Sequence, residues 1–274
     1  MNSVYKYYGC FKYLCVVFLV KVNRVFPPLD TYNTVPDFDK WTLDPEASYV
    51  YYCANETVHG VEFNDIPDTK GVPIVADMSS NILTRRVDIS KYGVIYAGAQ
   101  KNMGCSGVTL VIIREDLLAS PSPLCPTFME YKTQAANQSI YNTPPVWNIY
   151  VMGEVFRWVQ NSGGVPAMEK MSEKKSKIIY EVIDNSKGFY WNPVDKKSRS
   201  RINVPVRMTG PDGNQEIEAL FLQQAEAKGM LSLKGHRSVG GLRISLFNAI
   251  SVEDTITLRD FMIQFREDQL DITN

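Results

Sequence analysis

Lys101 lies in the stretch Tyr96-Ala97-Gly98-Ala99-Gln100-Lys101-Asn102-Met103-Gly104, just past a β-branched and aromatic run that reads as a short strand. Small residues let the backbone pass close to a flat ligand, and an apolar setting lowers a lysine's pKa. A lysine whose amine is partly neutral at pH 7 can form a Schiff base with an aldehyde. The same local sequence also suits a solvated lysine in a glycine-rich turn. Upstream, Val72-Pro73-Ile74-Val75-Ala76-Asp77 is a second buried-strand pattern, and it ends in a carboxylate. Ligands of open α/β sheets bind at the carboxyl ends of strands, so Asp77 and Lys101 are candidates for one site.

An acid that keeps a pyridine nitrogen protonated and a lysine that binds an aldehyde are what pyridoxal phosphate needs. Strand-terminal Asp and Lys are common, so the pair takes its meaning from its surroundings. A third strand signal, residues 48–53, runs into Asn55-Glu56-Thr57, where the Thr57 hydroxyl can donate to a ligand oxygen. His59 is expected to be satisfied within its own turn. Farther on, Gly235-His236-Arg237-Ser238-Val239-Gly240-Gly241 sets two anion-binding side chains between glycines, with Arg243 two residues later. Arginine's planar fork matches carboxylate and phosphate, and backbone N–H groups of such a loop add to the attraction. Taken alone, the loop also reads as a charged surface turn. Neither G-x-x-x-x-G-K-S/T nor a strand-linked G-x-G-x-x-G occurs, which disfavours a nucleotide ligand.

In order and spacing, Asn55-Glu56-Thr57-Val58-His59-Gly60-Val61-Glu62-Phe63, Ala76-Asp77-Met78-Ser79-Ser80, the Lys101 stretch and the loop through Arg243 resemble the phosphoserine aminotransferases. The likeness runs from about Tyr32 to the C-terminus, roughly nine-tenths of the chain. It implies an α/β chain of the fold-type I pyridoxal-phosphate transferases, with an incomplete large domain built on a mostly parallel sheet and a small α+β C-terminal domain. Lys101 would carry the link to pyridoxal 5'-phosphate and move the substrate proton. Asp77 would face the pyridinium, with Thr57 and Gln100 as further cofactor contacts. Asn142 and Thr143 match a pair that binds the cofactor phosphate of the neighbouring subunit, which implies a homodimer with composite sites; turn chemistry before Pro144 and Pro145 accounts for them without a ligand. His236 and Arg237 match residues near the substrate's phosphate, and Arg243 one on its α-carboxylate. The implied reaction moves an amino group from glutamate, giving 2-oxoglutarate, to 3-phosphohydroxypyruvate, giving O-phosphoserine for serine biosynthesis, with no metal.

The elements that must position these groups follow from periodicity. Residues 107–113 read as a further strand, and residues 146–160 have helical spacing in which Trp147, Phe156 and Trp158 suit a core or an interface. Gly163-Gly164-Val165-Pro166 marks a hinge before a Lys/Glu-rich helix over residues 167–185, its charges read as a solvated face. Strands at residues 204–208 and 242–246, a helix over 215–228 closed by Gly229, and a last helix capped by Ser251-Val252-Glu253-Asp254 complete a smaller domain. The division expected is an atypical segment over residues 1–30, a partial large domain over 31–165 and a small domain over 166–274.

Composition sets wide bounds. The 274 residues are 45% hydrophobic and 22% charged with a net charge of −1, ordinary for a globular chain and unsuited to nucleic acid or an anionic membrane. Five cysteines without metal-type spacing fit reduced thiols and a cytoplasmic setting. The apolar run at residues 14–20 is too short to span a bilayer, lacks a following cleavage pattern, and reads as a buried strand after an irregular lead-in.

The resembling enzymes carry roughly a hundred further residues before the match begins, about the size of a small domain. That region supplies a phosphate-binding helix N-terminus and a ring-stacking tryptophan, so weak cofactor retention and little turnover are expected of these residues by themselves. Two other readings stay open. One keeps the fold with another substrate, as in an alanine–glyoxylate transaminase or a cysteine desulfurase, the latter needing a mobile cysteine for which only Cys125 is placed. The other is a non-catalytic relative that pairs with an intact subunit.

Overall fold

The computed structural model describes residues 3–5, 21–26, 28–118 and 123–273. Its centre is a six-stranded sheet of β1 (Ser3–Tyr5), β2 (Lys21–Asn23), β3 (Tyr49–Cys53), β6 (Ile74–Asp77), β7 (Val94–Gly98) and β8 (Thr109–Ile113), ordered β2-β1-β3-β6-β7-β8. Every neighbouring pair is parallel except β7 and β8. The β-branched and aromatic runs of the sequence form the three central strands. A strand at Ser3–Tyr5 replaces the irregular lead-in expected there, and the run at residues 14–20 lies outside the described residues.

Period-2 alternation gives this sheet two unlike faces. Val50 and Tyr52, Ile74 and Ala76, and Ile95 and Ala97 are buried on one face; all but Val50, which packs with Val25, Ala47 and Val72, share a core with Phe63, Met78, Ile82 and Met103. On the other face Tyr51 and Cys53, Val75 and Asp77, and Tyr96 and Gly98 are half-buried. The candidate carboxylate thus belongs to the less enclosed face.

A second core surrounds an antiparallel sheet of β9 (Tyr190–Trp191), β10 (Asn203–Met208) and β11 (Leu242–Ser245), ordered β11-β10-β9. Ile179, Val204, Phe221, Leu242, Met262 and Phe265 fill it. These come from the strands and from helices flanking them. In chain order the helices are α1 (Tyr131–Ala136), α2 (Val146–Asn161), α3 (Gly164–Asp184), α4 (Gln215–Ala227) and α5 (Val252–Thr273). Caps explain two starts. Asn214 accepts from the N–H groups of Glu216 and Ile217, and Ser251 and Asp254 close a reciprocal box at 2.9 and 3.0 Å. Helix α3 begins three residues before the expected start, because Pro166 falls in the first turn, where its missing N–H costs nothing.

A hairpin of β4 (Asn55–Glu56) and β5 (Val61–Glu62) presses against β10. At its turn Gly60 has φ +73°, and a Cβ there would lie 2.6 Å from the Asn203 carbonyl. Asn55 Nδ2 donates to Ser80 Oγ at 2.8 Å and to Asn203 Oδ1 at 2.9 Å, which ties the two cores with buried side chains.

One expectation is corrected and another is narrowed. The charges of α3 are not all solvated: Lys175 is 1% exposed, its ammonium donating to the carbonyls of Leu246, Phe247 and Ile250 at 3.1, 2.8 and 2.7 Å. Burial without an acid partner is tolerated because each of its protons meets a carbonyl. Of the core or interface expected for Trp147, Phe156 and Trp158, the core is excluded, for α2 buries only Val159 and leaves Trp147 70% exposed. Helical spacing revealed the helix but not what would cover it.

Candidate active site

Lys101 sits in the turn that follows β7, and its Nζ donates to Thr57 Oγ1 in the β4–β5 turn at 3.0 Å. Burial pushes this lysine below the usual ammonium range. Cys53, Asp77 and Glu56 act against that shift, and Arg243 adds to it, so β3, β4, β6 and β11 converge on one amine. The amine is therefore more available as a nucleophile or base than that of a surface lysine.

Asp77 ends β6. The backbone N–H of Ser79 donates to its Oδ1 at 2.9 Å, while Ser79 Oγ accepts from the Gly98 N–H at 3.1 Å, so a short turn locks the carboxylate to the neighbouring strand. In the parallel register Cys53 and Tyr96 stand beside Asp77 on either side. The Tyr96 and Tyr51 hydroxyls are 3.1 Å apart. Burial first, then the Asp77 charge, pushes the Cys53 thiol up to about 12, which keeps it protonated and unreactive. The Tyr96 phenol also rises to about 12, chiefly through burial.

Arg243 on β11 has a buried Nε that meets no hydrogen-bond acceptor. A buried unpaired donor is costly, so an arginine held this way near Lys101 is fitted to an anion. His236 and Arg237 are exposed on the loop leading to it. His236 Nδ1 accepts from the Ser238 N–H at 3.3 Å and lies 2.6 Å from its hydroxyl. Gln100 is exposed, its side chain folded against Gly98, where a Cβ would be 3.2 Å from Gln100 Cδ. Asn142 and Thr143 are exposed, and Asn142 Nδ2 donates to the Thr143 carbonyl at 3.4 Å. His59 is satisfied in its turn by Glu56, Nδ1 to Oε2 at 3.0 Å.

Thr57, Asp77 and Arg243 thus gather about Lys101, while Gln100, His236, Arg237, Asn142 and Thr143 are exposed. Sequence reading missed Ser79, Cys53 and Tyr96. The register of the parallel sheet puts the last two beside Asp77, and no local motif encodes it. Among the described residues no cluster of His, Cys, Asp and Glu could hold a metal, and no helix is long and apolar enough to cross a membrane.

A lysine made less basic by burial, with a hydroxyl on its amine and an anchored carboxylate on the adjoining strand, suits the aldehyde and ring nitrogen of pyridoxal phosphate. The architecture is that of the fold-type I transferases. A phosphoserine aminotransferase from Bacillus circulans subsp. alkalophilus superposes with a TM-score of 0.91 at 38% identity, over 97% of this chain and 74% of that one. A pyridoxal-phosphate-bound phosphoserine aminotransferase from Trichomonas vaginalis does so with a TM-score of 0.87 at 38% identity, over 95% and 75%.

The aminotransferase class-V family matches residues 20–258, and the chain belongs to that family. Within it, a phosphoserine aminotransferase of Drosophila melanogaster is 52% identical over 89% of this chain and 67% of its own length. This chain spans about two thirds of the length of the curated relatives it matches, the shares running from 64% to 67%.

Proposed function

We propose that this site serves phosphoserine aminotransferase chemistry, moving an amino group between glutamate and 3-phosphohydroxypyruvate to give O-phosphoserine and 2-oxoglutarate. The observation that carries the reading is the buried, unpaired Arg243 Nε in the field of a burial-weakened Lys101. Together they offer a cationic seat for an α-carboxylate beside a base that can reach the adjoining carbon. High identity to enzymes of that name supports the choice of substrates.

Pyridoxal phosphate, when bound, supplies an aldehyde for the amino group and a ring that accepts electrons. Lys101, as a neutral amine, takes the proton from the substrate Cα and returns it on the other side of the transfer. Asp77, kept in place by the Ser79 N–H, would hold the proton on the ring nitrogen. Thr57, which already meets Lys101, and Gln100 would help hold the cofactor. His236 and Arg237 bind the substrate's phosphate, and Arg243 its α-carboxylate. Asn142 and Thr143, both exposed, serve the neighbouring subunit of a homodimer. Two separate apolar cores support a large unit over residues 31–165 and a small one over 166–274. A cytoplasmic setting belongs to the same proposal, as do free thiols at Cys53, Cys105 and Cys125.

The test is borohydride reduction of the chain mixed with pyridoxal phosphate, followed by peptide mapping. A label concentrated on Lys101 and abolished in Lys101→Ala is expected. Label spread over exposed lysines would remove the basis of the proposal. Exchange of amino groups between glutamate and 3-phosphohydroxypyruvate, measured on the same preparation, then tests the substrates.

A further inference from the structure

The loop bearing His236 and Arg237 is closed at its neck by the Gly235 N–H donating to the Gly241 carbonyl at 2.8 Å, and by a bridge between Lys234 and Leu242. Within it the N–H groups of Val239 and Gly240 donate to the His236 carbonyl at 2.9 and 2.8 Å, making one tight turn. What fixes that turn to the body of the protein is Arg207 of β10. Its Nε donates to Glu218 Oε1 of α4 at 2.8 Å, its Nη1 to the Val239 carbonyl at 3.3 Å, and its Nη2 to the Asp212 carbonyl at 2.5 Å. One guanidinium joins a helix, a surface turn and the basic loop.

The surroundings are shaped to this ion pair. Its side chains are 18% and 7% exposed, and Glu218 Oε1 also accepts from the Met208 N–H at 3.3 Å. Gly241, with φ +62°, packs directly on it: a Cβ there would lie 2.6 Å from Arg207 Cδ and 2.5 Å from the Val206 carbonyl. A Cβ at Gly213 would overlap both the guanidinium and the carboxylate. A largely buried ion pair stabilises a fold little relative to apolar side chains of the same shape. Its three fixed directions do, however, set geometry.

We propose that Arg207, braced by Glu218, is a positioning residue that fixes the His236–Arg237 turn for a substrate phosphate, and so sets the preference for phosphorylated over unphosphorylated substrates. The inference rests on the phosphate role proposed above for His236 and Arg237. Arg207 itself does not touch substrate; it acts through the Val239 carbonyl. Lysine in its place keeps the charge and loses the fork that reaches three acceptors at once.

The experiment compares the unaltered chain, Arg207→Lys, Glu218→Gln and Arg237→Ala, each loaded with pyridoxal phosphate. Calorimetry gives affinities for O-phospho-L-serine and L-serine, and hydrogen exchange reports the peptide spanning residues 235–241. In Arg207→Lys and Glu218→Gln, O-phospho-L-serine affinity should fall about tenfold, L-serine affinity should stay within about twofold, and exchange of the loop should quicken. Arg237→Ala should lose the preference with no change in exchange. If the unaltered chain shows no preference, or Arg237→Ala keeps it, the phosphate reading fails and this inference falls with it. If Arg237→Ala loses the preference while Arg207→Lys and Glu218→Gln keep it, this inference alone is overturned, whether or not exchange quickens. Loss of preference without faster exchange means direct contact and overturns the positioning role. Should Arg207→Lys not fold, Glu218→Gln, which keeps the shape of the pair, decides the matter.

Discussion

The side-chain oxygen of Asn102 accepts a hydrogen bond from the backbone N–H of Asn248 at 3.0 Å, and both residues are buried. Asn102 follows Lys101 directly, and Asn248 stands in the turn after β11, the strand that carries Arg243. Lys101 and Arg243 are therefore held in one frame by a bond between the two cores. Asn102→Ala leaves the Asn248 N–H buried and unmet. We expect a loss of about 1–3 kcal/mol, seen as a lower urea midpoint at unchanged slope, together with slower borohydride labelling of Lys101.

Lys175 holds the same turn from the other side through its three carbonyl acceptors. Lys175→Met keeps the volume and removes every donor, so about 3 kcal/mol of stability should go. Lys177 lies on the same helix but is exposed, 3.8 Å from Glu181. Lys177→Met should change stability by no more than about 0.5 kcal/mol. Denaturant curves of the two variants side by side test the contrast, and equal effects would refute it.

Much of this was legible in the sequence, and the exceptions have causes. Strand-end chemistry at Thr57, Asp77 and Lys101 is encoded locally, because an apolar run followed by a small or polar turn defines both the strand and its exposed end. The caps at Asn214 and Ser251 are equally local. The burial of Lys175 is not: its neighbours Lys174 and Lys177 look the same in sequence, and only the packing of the 246–250 turn on α3 singles it out. Arg207 was hidden for a similar reason. In sequence it is an outward residue of an alternating strand, and its partners Asp212, Glu218 and Val239 are joined only by the fold.

Glu62 is fully buried, with its Oε2 accepting from the Arg201 N–H at 2.9 Å and its Oε1 lying 3.4 Å from Arg85 Nη1. Asn81 adds a donor at 3.2 Å. Glu62→Leu removes the acid and leaves Arg85 and Arg201 facing an apolar group. A loss of about 3–5 kcal/mol is expected, and additional Arg85→Met and Arg201→Met substitutions should restore part of it, because breaking a buried pair costs more than replacing it whole. Thermal unfolding of the single and triple variants checks this.

Acid sensitivity should come partly from Asp184. Arg199 grips its carboxylate at 2.8 and 2.9 Å and holds its pKa below the usual range, with burial opposing. Because the folded pKa is depressed, the unfolded chain binds more protons in the window between the two values. The contribution is thus complete above the ordinary aspartate value near 3.8 and is lost as pH falls through the folded one. Solvent around a one-third exposed side chain limits the effect to about 1 kcal/mol. Asp184→Asn should flatten the stability profile below about pH 4 and leave its shape above unchanged.

The last prediction concerns self-association. Ile140, Tyr141, Val146, Trp147, Ile149 and Tyr150 are all exposed, and they bracket Asn142 and Thr143. Exposed apolar side chains gathered in one segment are a usual mark of an interaction surface, and aromatic residues carry much of the binding energy at such surfaces. If Asn142 and Thr143 serve a neighbour's cofactor, this segment must lie against that neighbour. Sedimentation should then show concentration-dependent dimers. Trp147→Glu should weaken them at least about tenfold while leaving helix content unchanged, since the side chain is 70% exposed and its ring contact is with the likewise exposed Tyr150 one turn on, 5.7 Å between centroids. Tyr150→Lys should act in the same direction. Added pyridoxal phosphate should tighten the dimer of the unaltered chain, because a ligand held by two subunits binds the pair and not the separate chains. A chain that stays monomeric at its highest soluble concentration, with or without cofactor, would contradict the composite site.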